Sequence, residues 1–220
     1  ALGEEAIIRN RDLENGLISI GASENALRLI LLSELEHFCA RYPHVRIRLL
    51  NYSAPQAVKA LENNIIDFAI VSTPVLVHKH MHQEKLVSYD EILLGGTKYK
   101  QFAQQVHYLE DISEMPLIGL CEGSSTHTHY SRFFMEHDLP FEPDMEAAMT
   151  DQVLPMITHN LGIGFYPKSL ALEAIEKELV FPIELTEPLP NRDVVVITNN
   201  HTPINSAARR FLEFLLENRK

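Results

Sequence analysis

A chain of 220 residues with 45% hydrophobic and 22% charged residues is too apolar for a disordered polymer and long enough for one large domain or two smaller lobes. Its 30 acidic against 19 basic residues give a net charge of −11, which repels phosphate backbones and argues against direct nucleic-acid contact. Cys39 and Cys121 lack the spacing of a metal knuckle or redox pair, no apolar run reaches bilayer length, and the charged start of the chain has no leader pattern; a reduced, cytoplasmic protein without membrane contact is expected.

Residues Leu2 to Leu13 mix Glu, Arg and Ile and read as the tail of a helix that began further upstream. After Asn15-Gly16, the run Leu17 to Gly21 alternates large apolar and small residues as a strand does. Leu27, Ile30, Leu31, Leu35, Phe38 and Cys39 then return at helical spacing over Leu27 to Ala40, and Pro43 stops the helix. Period two resumes at Val45 to Leu49. A second helix is expected over Ala54 to Asn63, with Pro55 tolerated in its first turn. The nearly continuous apolar run Ile65 to Val71 reads as a strand covered on both faces. Strands separated by helices make an α/β sheet with right-handed crossovers the economical fold.

The rhythm restarts with strands at Ile92 to Gly96 and Pro116 to Leu120, helices at Thr126 to His137 and Asp151 to His159, and a short strand Gly162 to Pro167. The chain closes with a strand over Val194 to Thr198 and an amphipathic helix over Ser206 to Glu217. If these last elements return to the first lobe, the backbone crosses between lobes twice and forms a hinge.

Several phrases in this order resemble the effector-binding domain of the LysR-type transcriptional regulators. They are Gly16-Leu17-Ile18-Ser19-Ile20-Gly21, then Phe38-Cys39-Ala40-Arg41-Tyr42-Pro43-His44-Val45, and then Leu61-Glu62-Asn63-Asn64-Ile65-Ile66-Asp67-Phe68-Ala69-Ile70. Asn160-Leu161-Gly162-Ile163-Gly164-Phe165-Tyr166-Pro167 and the helix Ala207 to Leu215 complete the match from about Gly16 to the end. The resemblance implies an α/β, two-lobed, periplasmic-binding-protein-like type 2 fold. One lobe would comprise residues 16–88 plus 193–220 and the other 89–192, with 1–15 a linker-helix remnant and a winged helix-turn-helix domain upstream. It also implies an effector-sensing and dimerising role, with the effector in the interlobe cleft, a homodimer as the unit of assembly and a tetramer open to the full-length protein.

Within that frame the turns after the strands are the candidate binding residues. Ser23, Glu24 and Asn25 follow the first strand, where free amides and a hydroxyl suit an anion or carboxylate; the same residues also read as a plain N-cap, and Glu24 departs from an anion-friendly lining. Ser124, Ser125, Thr126 and His127 follow Gly123 in the second lobe. In the resemblance, His127 stands where an arginine is common, and imidazole cannot reproduce the bidentate fork. Thr150 matches a family position facing the cleft, while Ser53 and Ser72 extend the rim. The expected partner is a small effector, anionic or carboxylated, with no cofactor and no metal.

Two other readings weigh less. His78, His80 and His82 alternate and would share one side of an extended run, with His127 and His129 a second cluster, yet no acidic or cysteine ligand stands at a diagnostic spacing. Catalysis lacks its signatures: the segment Gly123 to Thr126 is not a nucleophile elbow, and there is no phosphate loop or dinucleotide fingerprint. An enzyme of small-molecule metabolism or a solute-binding protein using the same cleft is the alternative function.

Overall fold

The computed structural model describes residues 16–217, so the expectation of a linker helix over residues 1–15 lies outside the described residues. The described residues divide into two compact units, 16–87 with 194–217 and 88–193.

The first unit is built on the sheet order β2-β1-β3-β11-β4. Strand β1 (Leu17–Ala22) lies between β2 (Arg46–Asn51) and β3 (Phe68–Ser72) and is parallel to both, which is why everything after Leu17 in it is buried. Helix α1 opens at Glu24–Ala26, passes through a π-helical turn Leu27–Leu31 and continues as Leu32–Arg41. It starts three residues before the apolar periodicity does, because the Ser23 hydroxyl caps it by accepting from the Ala26 amide at 3.4 Å. Helix α2 (Ala54–Glu62) opens on a capping box in which the Ser53 amide donates to Gln56 Oε1 at 2.9 Å.

The third strand starts at Phe68, three residues later than the apolar run predicts. Asn64 takes a left-handed turn (φ 55°), and the Ile65 amide reaches back to the Ala60 carbonyl at 2.9 Å, so Ile65 and Ile66 close the helix instead of extending the sheet. Only Ile66 of the two is buried. Strand β11 (Arg192–Asn199) runs antiparallel to β3, and α7 (Ser206–Glu217) seals the sheet, with Phe211 stacked on Phe68 at 5.8 Å and edge-on to Phe38 at 4.9 Å. Strand β4 (Met81–Tyr89) completes the order. Its residues His82 to Lys85 are exposed and polar, so no apolar alternation announces it.

The second unit has the sheet order β6-β10-β5-β9-β7-β8. Its strands are β5 (Glu91–Gly96), β6 (Val106–His107), β7 (Leu117–Leu120), β8 (Met145–Ala147), β9 (Ile163–Pro167) and β10 (Val180–Leu185). Strand β9 pairs antiparallel with β5 and parallel with β7, which in turn is parallel to β8. Helices α3 (Leu109–Ser113), α4 (Ser125–Met135), α5 (Thr150–Thr158) and α6 (Lys168–Glu176) flank it. Aromatic packing of Tyr130 and Phe134 on Phe165 fills one side, and Ile118, Val153, Ile157 and Tyr166 fill the other. Helices α4 and α5 each begin one residue before the sequence expectation, because Ser124 and Met149 take extended backbone as their caps. The chain passes from the first unit to the second within β4 and returns within β11.

Candidate functional site

In an open α/β sheet, ligands bind beyond the carboxyl ends of parallel strands, because helix starts and free amides converge there. In the first unit, the ends of β1, β2 and β3 deliver Ser23, Ser53 and Ser72. Ser23 and Ser72 are brought together: the Ser72 amide donates to Ser23 Oγ at 3.2 Å, and the Ser23 amide donates to the Ile70 carbonyl at 3.1 Å. The Ser72 hydroxyl is buried and, among the described residues, has no hydrogen-bond partner. Such an orphan is costly in a closed interior and marks a place for a further polar group. Asn25 is buried in the first turn of α1, and Glu24 is half-buried beside it. Ser53 is tied to its own capping box, although the Tyr52 amide, bonded to the Ala22 carbonyl at 3.0 Å, keeps this turn beside the end of β1.

In the second unit, β7 leads through Cys121 to Gly123 into Ser124, the N-cap of α4, and β8 ends before Thr150. Gly123 (φ 87°) makes the turn that sets the chain into α4, a conformation other residues adopt only with strain. Ser124 Oγ accepts from the His127 amide at 3.1 Å as the N-cap. Ser125 and Thr150 are buried, each 8% exposed. Thr126 and Thr150 line one small cavity with Glu91, Tyr130, Leu120 and Phe165. Its free space is about 10 Å³, about the room one water needs. His127 turns along its own helix, with Nδ1 3.2 Å from Ser131 Oγ and its ring edge-on to Phe141 at 5.4 Å.

Three residues that sequence reasoning missed hold this turn from behind. Arg192, the first residue of β11, is 1% exposed and forms an ion pair with buried Glu91 at 3.2 Å. Its guanidinium donates to Thr126 Oγ1 at 3.0 Å and to Ser125 Oγ at 3.4 Å, and it lies over the Tyr89 ring at 5.7 Å. Tyr130 donates its hydroxyl to the other Glu91 oxygen. Burial raises the Tyr130 pKa well above the ordinary phenol value, and the Glu91 carboxylate adds to it, so the hydroxyl stays protonated. Burial works against the charge on Arg192, but Glu91, with Tyr89 and Tyr130, outweighs it and raises the pKa above the usual guanidinium value. The only sequence signal is faint: Glu91 and Arg192 are opposite charges at the leading ends of apolar strand runs, where polar residues ordinarily face solvent.

The histidine run does not form one extended side. The Met81 amide closes a turn on the His78 carbonyl at 2.9 Å. His78 instead pairs with Glu62 at 3.1 Å and stacks on His80, which stacks on His201, while His82 faces solvent in β4. Among the described residues, no group of three or more His, Cys, Asp or Glu could hold a metal ion. No described helix is long and apolar enough to cross a membrane.

The family model for the LysR substrate binding domain matches residues 11–220. The chain belongs to this family. Among proteins similar to this LysR-family domain is the Probable RuBisCO transcriptional regulator of Chlorokybus atmophyticus, 24% identical over 206 residues, covering 91% of this chain and 66% of that protein. The chain thus spans about two thirds of that relative's length. Among solved structures, the regulatory domain of CcmR from Synechocystis PCC6803 in complex with 2-PG superposes with a TM-score of 0.81 at 15% identity, covering 93% of this chain and 97% of that one. The effector binding domain of QuiR in complex with shikimate gives the same TM-score of 0.81, identity of 15% and coverage of 93% and 97%. The LysR-family domain therefore has the periplasmic-binding-protein-like type 2 α/β fold of such effector domains.

Proposed function

We propose that this domain is the effector-sensing and dimerising part of a cytoplasmic transcription regulator that performs no catalysis itself. It binds a small effector, anionic or carboxylated, and passes the signal to a DNA-binding domain elsewhere in a longer protein. Each unit contributes a polar turn at the carboxyl ends of its parallel strands: Ser23 and Ser72 with Asn25 in the first, and Ser125, Thr126 and Thr150 in the second.

The observation that carries this reading is the buried, partnerless hydroxyl of Ser72, which sits next to the helix-capping Ser23 in a protein whose family is defined by a binding domain. The complexes of CcmR with 2-PG and of QuiR with shikimate support a small-molecule effector. Because a ligand that favours one arrangement of a protein shifts the population toward it, binding alone suffices to transmit a signal.

A thermal-shift screen of the purified chain against carboxylated metabolites tests the reading. A hit at 100 times its Kd stabilises by about 2.7 kcal/mol. Ser72→Ala or Thr126→Val should weaken that hit about tenfold, the loss of a hydrogen bond worth about 1.4 kcal/mol. Hits that both variants bind as tightly as the native chain would overturn the placement.

A further inference from the structure

The hydroxyls of Ser125 and Thr126 are each within hydrogen-bond distance of a group that can only donate. Arginine carries five N–H donors and no acceptor, whereas a serine or threonine hydroxyl has one proton and two lone pairs. Thr126 Oγ1, 3.0 Å from Nη1 of Arg192, and Ser125 Oγ, 3.4 Å from its Nη2, therefore accept from Arg192. That fixes a lone pair of each oxygen inward and leaves each hydroxyl proton to point away from the guanidinium. The guanidinium itself has little freedom to swing, because Glu91 takes Nη1 at 3.2 Å, Tyr130 holds the far oxygen of Glu91, and Tyr89 lies under the guanidinium plane.

Charge follows a different account from direction. Glu91 and Arg192 are both buried and opposite, so together they add no net charge behind the turn. The first turn of α4 thus carries a pair of oriented O–H donors polarised by a cation, with the cation's long-range field cancelled by the carboxylate.

We infer that Arg192 is a positioning residue that makes Ser125 and Thr126 donors, so that the second unit selects an effector group made of acceptor oxygens, such as a carboxylate or phosphate, over one that only donates. The inference rests on the effector reading given above and deepens it. Because selection runs through short hydrogen bonds instead of net charge, binding at this turn depends only shallowly on salt.

The test follows the backbone amides of residues 124–127 and 150 by NMR in the isotopically labelled chain, with inorganic phosphate as the acceptor probe and methylammonium as the donor-only probe. The native chain should show saturable shifts with phosphate and at least about tenfold weaker ones with methylammonium. The double variant Glu91→Gln/Arg192→Met removes both buried charges together and should cut the preference for phosphate about tenfold while its thermal unfolding remains cooperative. Glu91→Gln/Arg192→Gln serves if that variant does not fold, since glutamine both donates and accepts and so frees the hydroxyls to turn. Arg192→Lys, still a donor only, should keep the preference. Phosphate preference unchanged in the folded double variants overturns the role of Arg192 and leaves the turn as a binding site. Absence of any phosphate response at residues 124–127 in the native chain overturns both the role of Arg192 and the effector reading of this turn.

Discussion

His129 packs against Tyr130, which bonds the buried Glu91, and shows what that environment does to a titratable ring. Burial lowers its pKa to about 4, the Arg192 charge adds to the effect, the Pro190 backbone works the other way, and Arg132 contributes a smaller lowering. Its ring is edge-on to Tyr130 at 5.0 Å, and its Nε2 has no hydrogen-bond partner among the described residues. A histidine held neutral in the folded state binds fewer protons than the unfolded chain between pH 6.5 and 4, so folding stability falls as pH drops through that window. Urea unfolding at pH 7 and pH 4.5 should show the native chain losing roughly 1–2 kcal/mol more than His129→Gln, after allowance for the partly exposed ring. Equal losses in the two proteins would show that the ring is not held neutral. The candidate binding residues were legible at this scale as a class: hydroxyls in turns after strands. Which hydroxyls have inward partners was not, since Ser53 reads like Ser23 in sequence but spends its amide on Gln56, whereas Ser23 accepts from Ser72.

At the scale of elements, strands and helices with their own periodicity were legible, and those whose register depends on a neighbour were not. The run at Phe68 to Val71, the helix around Phe38 and the closing helix around Phe211 all carry their apolar pattern in the chain itself. Strand β4 carries none, and β10, with Pro182 inside it, is recognisable only from its pairing with β5 and β6. Glycine at 162 illustrates the same dependence on a neighbour. A Cβ there would lie 2.4 Å from the Pro116 carbonyl oxygen, at the point where Leu117 and Ile163 set the parallel register of β7 and β9. Gly162→Ala should therefore cost about 1–3 kcal/mol, because backbone rather than a flexible side chain has to give. A lower urea midpoint with an unchanged m-value is the expected signature, and an unshifted midpoint would mean that the strands part easily.

For the whole molecule, the two compact units bury separate cores, the first around Val58, Leu61, Ile66 and Val71, the second around Phe133 and Phe134 on one side of its sheet and Ile157 and Tyr166 on the other. Separate cores allow separate opening. Native-state hydrogen exchange in rising urea should thus resolve two isotherms, with β3 amides on one and β9 amides on the other. A single shared isotherm would mean that the units unfold as one. The sequence by itself determined the alternation of strands and helices, the family pattern and the hydroxyl-bearing turns, because periodicity, capping and turn chemistry act over a few neighbouring residues. Only the tertiary structure decided that Arg192 and Glu91, 101 positions apart, would meet in a buried pair behind Ser125 and Thr126. Two charged residues at strand ends read as solvated, and only the folding of β11 beside the rest of the chain removes the water and leaves each the partner the other needs.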